Sequence, residues 1–357
     1  MPVRYPALLI DAGKIRDNAR TVSGLLAKRG MSLLAVAKGT MAHPAVVRAM
    51  LEGGARAVGD SRIENLRKLR DLGFSCEMVL LRAPSPSRAA EAVEVADTSL
   101  CSELATVRAL GEAALRLGKD HGVVLMVDLG DLREGVLAED APRVAKEMAR
   151  VPGVEIRGVG VNLACYGGVI PTREKMEDLL RVKTAAERAV GRPLMTVSGG
   201  NSANMMLVMG DEMPSGITEL RIGESILLGT EATLRRPVPG CHQDAFLVAA
   251  EVIEVCRKPS KPFGKMGQNA FGEIRSYEDR GVRKRAVLAV GRQDVDPDSL
   301  TPCTPGVRIL GASSDHLLCD VEDAGETVEV GDVLTFVPGY SALLRASTSP
   351  FVEKVVK

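Results

Sequence analysis

Ser32-Leu33-Leu34-Ala35-Val36-Ala37-Lys38, followed by Gly39-Thr40 and then His43-Pro44, is the stretch on which the reading of the fold turns. It is a short apolar run ending in one lysine, then a turn, then a helical pattern over His43–Leu51. The run has no polar alternation, so both faces are expected to be covered, as in a parallel sheet packed under helices. A lysine at the end of such a strand has two readings. It snorkels to water where the strand meets solvent, or its partly desolvated amine is favoured in the neutral, nucleophilic form. The local run alone favours the first; the rest of the chain reverses that.

Working outward, the pattern repeats. Apolar runs ending in Lys38, Asp60, Arg82, Cys101, Leu129, Leu163, Ser198 and Arg221 alternate with amphipathic stretches such as Ser61–Leu72, Ser102–Leu117 and Arg173–Val190. Ser61 and Ser102 are N-cap candidates, and Ser61 with Glu64 has capping-box spacing. Eight strand–helix units predict a closed (β/α)8 barrel rather than a doubly wound open sheet. A leading strand, Ala7–Asp11, and a helix over Lys14–Lys28 precede the count. They are placed in a barrel domain of residues 1–236, with 1–30 as its leading strand and helix, or the strand is lent to the other domain. Past Arg235-Arg236-Pro237-Val238-Pro239-Gly240 the runs turn short and β-like: Phe246–Val255, Ala286–Val290, Val307–Gly311, His316–Val321, Thr327–Val330 and Val333–Val337. That change predicts an antiparallel β domain over 237–357.

Composition excludes several classes. The 357 residues carry 46 Lys+Arg and 46 Asp+Glu in mixed order, for zero formal net charge, and aromatics are 3% with no Trp. Neither phosphate neutralisation nor base stacking is expected, so no nucleic-acid partner is either. The seven cysteines are scattered, with no CxxC and no paired metal spacing. This fits a reducing cytoplasm and points to no metal. The first residues lack the apolar region of a signal peptide, and no run approaches the length of a membrane span. A soluble cytoplasmic protein is expected.

Barrel enzymes work at the C-terminal ends of their strands and commonly hold phosphate with the loops after the seventh and eighth. The seventh run here ends in Val197-Ser198-Gly199-Gly200-Asn201-Ser202-Ala203-Asn204, the eighth in Leu220-Arg221-Ile222-Gly223-Glu224-Ser225. Gly199, Gly200 and Gly223 let backbone approach a ligand closely, and Ser202 opens a helix whose N–H groups face an anion. Either loop alone reads as an ordinary helix start; the two together, at the expected strands, favour phosphate. With Lys38 on the first strand, the implied ligand carries a phosphate and an electrophilic carbonyl, as pyridoxal phosphate does. Arg221 is a candidate donor to a pyridine nitrogen, which it would leave unprotonated because a guanidinium does not accept a proton. The alternative is an ion-paired strand-end residue. Arg133, in the loop Val127–Gly135 after the fifth strand, is a candidate for a carboxylate or the cofactor's phenolic oxygen, the alternative being a solvated loop charge.

AVAKGTMAHP, DLGDLREG, GVNLACYGG, SGGNSAN, LRIGESILLG, RKRAVLAVGRQDV, GASSDHLLCD and VGDVLTFVPGYSALL follow one another at spacings that span nearly the whole chain. In these segments it resembles the alanine-racemase-like, fold-type III pyridoxal-phosphate enzymes, and more closely their amino-acid racemase branch that contains ornithine racemase. The resemblance implies that Lys38 is the Schiff-base lysine and Arg221 the pyridine-nitrogen partner. It implies that Asn201, Ser202, Ile222 and Gly223 cradle the phosphate, with Ser198 also among the cofactor-binding residues, and that Tyr340 reaches the phosphate from the β domain. Arg133 takes the place beside the phenolic oxygen, and Asn162 the place near the ring face where alanine racemases have histidine. It further implies a homodimer, each site completed by the partner's β domain.

One segment departs. Alanine racemases carry a second acid/base tyrosine in Gly-Tyr-Ala-Asp, where this chain reads Gly291-Arg292-Gln293-Asp294. A two-base racemase needs a proton donor on each face of its planar intermediate, so His316 and Asp315 are proposed as substitutes, ahead of Tyr277 and Cys319. A plain turn histidine is the competing reading of His316. His43 is expected to set a helix start beside Pro44, and His121 and His242 to lie in loops. The expected function is pyridoxal-phosphate-dependent racemisation of an amino acid, ornithine or another basic one, with Glu224, Asp294 and Asp296 as candidates to meet a distal amine. The alternatives are an amino-acid decarboxylase on the same fold and a non-catalytic pyridoxal-phosphate carrier, which would resemble the barrel alone. Zinc-assisted chemistry is disfavoured, because Tyr340 and Ala342 stand where related D-amino-acid dehydratases have His and Cys.

Overall fold

The computed structural model describes residues 3–357. Contacts divide the chain into two compact units: Ala12–Gln243, and the chain up to Asp11 together with Asp244–Lys357.

The first unit is the barrel. After β1 (Ala7–Ile10), which belongs to the other unit, come β2 (Ser32–Val36), β3 (Ala57–Asp60), β4 (Glu77–Leu80), β5 (Thr98–Cys101), β6 (His121–Asp128), the two-residue β7 (Val136–Leu137), β8 (Val154–Val161), β9 (Thr196–Ser198) and β10 (Glu219–Ile222). The order β5-β4-β3-β2-β10-β9-β8-β6 closes through β5–β6, and every pair is parallel. The eight expected runs are the eight barrel strands. Helices α1 (Ala12–Ala27), α2 (Pro44–Glu52), α3 (Ile63–Asp71), α4 (Ala89–Val95), α5 (Leu104–Leu117), α6 (Ala141–Met148), α7 (Arg173–Val190), α8 (Met205–Met209) and α9 (Glu224–Leu228) connect them. Each of the long ones turns an apolar stripe inward, as α5 does with Val107, Leu110, Ala113 and Ala114.

The barrel interior has two characters. Leu34, Val36, Ala57, Val79, Leu100, Val124 and Met126 form a buried apolar cluster from β2 to β6. On the β8–β10 side the residues are small or polar. Gly160 is tightly flanked: a Cβ there would stand 3.1 Å from Met126 Sδ and 3.2 Å from Ser198 Cβ. Toward the N-terminal ends of the strands, Arg56 pairs with Glu77 at 2.7 Å, and Arg157 with Glu77 at 3.2 Å and Thr98 Oγ1 at 2.6 Å.

Local details differ from the sequence reading where tertiary partners take over. Helix α3 starts after Arg62 with no side-chain cap, so Ser61 does not cap it; Asp60 Oδ1 accepts from the Arg62 N–H at 2.9 Å and from Asn65 Nδ2 at 3.0 Å just ahead of it. Helix α5 starts after Glu103, not Ser102, with no side-chain cap. His121 is not in a loop; it opens β6, fully buried, with Nε2 2.9 Å from Ser99 Oγ. His43 does precede Pro44 at the start of α2.

The second unit adds β11 (Phe246–Pro259), β12 (Val282–Leu288), β13 (Leu300–Pro302), β14 (Arg308–Ala312), β15 (Leu317–Asp320), β16 (Val333–Pro338), α10 (Tyr340–Thr348) and β17 (Glu353–Val356). Its sheet runs β13-β16-β11-β12-β15-β14, antiparallel throughout. The leading strand β1 joins this sheet, antiparallel to β11 and parallel to β17. Thr327–Val330 forms no strand, because the Glu329 N–H is committed to a turn with Asp332 Oδ2 at 2.7 Å. Helix α10, absent from the sequence reading, buries Ala342, Leu343 and Ala346. No helix among the described residues is long and apolar enough to cross a membrane, and the seven cysteines are free thiols.

Candidate active site

Strand β2 delivers Lys38 to the mouth of the barrel, two residues beyond the interior-facing Val36. Lys38 opens a short 3-10 turn, Lys38–Thr40. The Ala37 carbonyl gathers the Thr40 N–H at 3.0 Å, the Thr40 hydroxyl at 3.1 Å and the Ala42 N–H at 3.1 Å. Met41 and Ala42 then take left-handed backbone, φ 51° and 46°, which costs non-glycine residues on the order of 1 kcal/mol each. Lys68 Nζ donates to the Met41 carbonyl and pins the strained pair from outside. The Lys38 side chain itself is half-buried.

Strand β10 lies against β2, with Arg221 opposite Leu34 and Ile222 opposite Ala35. Gly223 follows, so close to β2 that a Cβ would stand 3.1 Å from the Val36 carbonyl oxygen. The lysine and the loop after the eighth barrel strand are therefore neighbours. Arg221 is 5% exposed; Nη2 donates to the Val161 carbonyl at 2.6 Å and Nη1 to Ser198 Oγ at 2.5 Å. Burial pushes its guanidinium below the ordinary arginine value, with Glu219 acting in opposition.

The loop after β9 is held by asparagines. The Asn201 carboxamide accepts from the Ala203 N–H at 2.8 Å, and Asn204 Oδ1 accepts from the Asn201 N–H at 3.2 Å, a reciprocal cap. Asn201 Nδ2 reaches across to the loop after β8, to Asn162 Oδ1 at 3.1 Å, the Leu163 carbonyl at 2.7 Å and Cys165 Sγ at 3.3 Å. Ser202 Oγ accepts from the Ser225 N–H at 3.2 Å, joining the two candidate cradle loops and leaving the hydroxyl proton to be donated. Gly200, at φ 127°, needs to be glycine.

Arg133 lies in the loop after β6, with both its Nε and Nη2 on the Glu134 carboxylate. Burial opposes its charge, but Glu134, Cys165 and Asp131 together raise its affinity for the proton. Arg133, Cys165 and Glu134 also act electrostatically on Arg221, so this loop faces the same mouth. Sequence reasoning left two residues here without a role. Asp131, 1% exposed, accepts from the backbone N–H groups of Cys165, Tyr166, Gly167 and Val169 at 3.0–3.4 Å. Glu219, on β10, accepts from the Ser198 hydroxyl at 2.7 Å. Its one signal in the sequence is its place two residues before Arg221, which puts both on one face of the strand.

The remaining candidates lie in the second unit. Tyr340 is the first residue of α10, and the preceding Gly339 N–H donates to the Ser299 carbonyl at 2.7 Å. His316 and Asp315 are exposed in the turn between β14 and β15. The Arg292 and Gln293 N–H groups donate to the Ser313 and Ser314 carbonyls at 2.9 and 3.0 Å. A Cβ on Gly291 would stand 2.2 Å from Ser314 O. Thus the stretch that lacks the tyrosine and the stretch that carries the proposed substitutes lie side by side. Cys319 drops out as an acid/base: it is fully buried, and burial pushes its thiol up to about 12. Of the acidic residues considered for a distal amine, Glu224 pairs with Arg235, and Asp294 is buried against the Ser349 hydroxyl at 2.7 Å.

The barrel residues fit a phosphorylated pyridine aldehyde. Asn162 is 9% exposed, and its Nδ2 is buried without a hydrogen-bond partner, so a donor waits at the place the resemblance assigns to the ring face. An amine, a fixed guanidinium and two joined glycine–serine loops surround one mouth.

The family profile "Alanine racemase, N-terminal domain" matches residues 10–231. The ornithine racemase of Acetoanaerobium sticklandii is 44% identical over 351 residues, 98% of this chain and 99% of that one. The lysine racemase of Thermotoga maritima is 42% identical over 351 residues, 98% of each chain. Among solved structures, alanine racemase from Streptomyces lavendulae superposes with a TM-score of 0.77 at 19% identity, covering 100% of this chain and 98% of that one. D-threonine aldolase from Filomicrobium marinum does so with a TM-score of 0.75 at 19% identity, covering 97% and 89%. At that identity the likeness speaks for the fold alone.

Proposed function

Because the chain belongs to the alanine racemase family and is an amino-acid racemase, we propose that it works with pyridoxal 5′-phosphate held at the barrel mouth and takes a basic amino acid, ornithine or lysine, as substrate. The observation that carries the cofactor reading is the placement of Lys38 beside Gly223, Arg221 and the joined Ser202–Ser225 loops. When bound, pyridoxal phosphate supplies an aldehyde that captures an amine and a ring that acidifies the α-proton.

In this reading the chain's own residues divide the work. Ser202, Asn201, Ile222 and Gly223 hold the phosphate, with Tyr340 as a further contact. Arg221 donates to the pyridine nitrogen without surrendering a proton to it. Arg133 meets the phenolic oxygen, and Asn162 offers its free Nδ2 near the ring. Lys38 anchors the aldehyde and, when its amine is free, moves the α-proton on one face of the substrate. His316, with Asp315 beside it, serves the opposite face from the partner's β domain in a homodimer. A cytoplasmic location is part of the proposal and accords with seven free cysteines. The relatives' names support a basic substrate, while decarboxylation and passive cofactor carriage have no such support.

Lys38→Ala is expected to abolish covalent cofactor capture, read by absorbance, and to cut racemisation by at least about 100-fold. Retention of either without added amine would overturn the assignment. Deuterium exchange at Cα across the standard amino acids plus ornithine is expected to be fastest with ornithine or lysine; exchange of alanine alone would refute the substrate reading. Light scattering is expected to give twice the 37.9 kDa of one chain.

A further inference from the structure

We infer that Ser198 and Glu219 are positioning residues for Arg221: together they hold its guanidinium in place and balance its charge, and so set how the barrel binds the ring of its cofactor. The inference rests on the functional reading above and deepens it.

The two residues are partners in the β9–β10 ladder, Glu219 in register with Ser198. Glu219 and Arg221 flank Leu220, so both turn to the barrel interior, where they meet the one hydroxyl. Ser198 has a single proton to give, and it goes to Glu219 Oε1 at 2.7 Å. Toward Arg221 Nη1, at 2.5 Å, the same oxygen acts only as acceptor. The order arginine, serine, glutamate therefore has one direction and cannot invert. With Nη2 fixed on the Val161 carbonyl at 2.6 Å, two contacts on different nitrogens fix both the place and the plane of the guanidinium.

Burial makes the pair necessary. Ser198 is 0% exposed, and Glu219 and Arg221 are each 5% exposed. A buried cation needs a charge partner and filled hydrogen bonds, and Glu219 supplies the charge through the serine. Arg56, half exposed, approaches the other Glu219 oxygen at 3.4 Å and keeps that carboxylate anchored at the far side.

The test compares wild type, Ser198→Ala and Glu219→Gln for pyridoxal 5′-phosphate affinity, for the absorption spectrum of the loaded protein, and for Tm without cofactor. Ser198→Ala is expected to weaken cofactor binding about tenfold, the loss of one charge-assisted hydrogen bond, and to shift the absorption maximum. Glu219→Gln keeps an acceptor for Ser198 and removes only the charge, so a shift of the same kind is expected. Should Ser198→Ala fail to fold, Glu219→Gln decides the matter. Wild-type affinity and spectrum in the folded variants, even with a lower Tm, would overturn the inference while leaving the functional reading intact. A wild-type protein that takes up no pyridoxal phosphate would instead overturn that reading, and the inference with it.

Discussion

Asp131 shows what one carboxylate does for the site. Its two oxygens collect four backbone N–H groups from the loop after β8, and Gly167 passes so close that a Cβ would stand 2.8 Å from the Asp131 carbonyl oxygen. Losing these bonds frees the part-buried amides of an otherwise exposed loop, at about 1 kcal/mol. Asp131→Ala is therefore expected to loosen the segment that carries Cys165 and to raise KM more than it lowers kcat. Faster limited proteolysis near Tyr166 is the direct check, and unchanged cleavage would refute the clamp. Reading the sequence singled out Lys38, Arg221 and the two glycine–serine loops as candidates because strand ends announce themselves where an apolar run stops. Asp131 stood in a quoted motif without a role, since its partners lie 34 to 38 residues away and only folding brings them together.

The barrel strands were legible at the scale of the element because a doubly covered strand has to be apolar throughout. Helix starts were less so: Ser61 caps nothing, because α3 begins only after Arg62, whose N–H is taken by the strand-end carboxylate of Asp60. In the second unit, three-residue β13 and four-residue β17 are too short to carry a period. Glycines distinguish the strands that must touch from the helices that need not. A Cβ at Gly158 would stand 1.8 Å from the Thr196 carbonyl oxygen, on the partner with which it pairs between β8 and β9. Gly158→Ala is expected to cost about 3 kcal/mol or to leave the protein insoluble. In contrast, Gly24, on the exposed face of α1, has nothing within 4 Å, so Gly24→Ala is expected to stabilise by about 0.5–1 kcal/mol. Denaturant midpoints of the two variants measure both, and a shift of equal sign would contradict the packing described.

For the whole molecule, part of its acid sensitivity is expected to trace to His121. Burial first, and Arg157 second, push its imidazole down to about 4 from an ordinary 6.5. The unfolded chain therefore binds the proton earlier, and stability falls as pH drops from about 6.5 to about 4, by roughly 3 kcal/mol in all. His121→Gln is expected to flatten that slope between pH 7 and 4.5 in denaturant titrations; an unchanged slope would place the sensitivity elsewhere. The pairing of β1 has a consequence in time. Its neighbours β11 and β17 begin at Phe246 and end at Val356, while Ala12–Gln243 lies between. During synthesis the ribosome delivers all of that intervening unit before either neighbour exists. Ala7, Leu8 and Ile10, buried once folding is complete, wait without cover while the intervening unit is made. A nascent chain released before β17 leaves one edge of β1 bare, a template for another chain to pair with. The strand that shields β1 is translated only after the whole barrel.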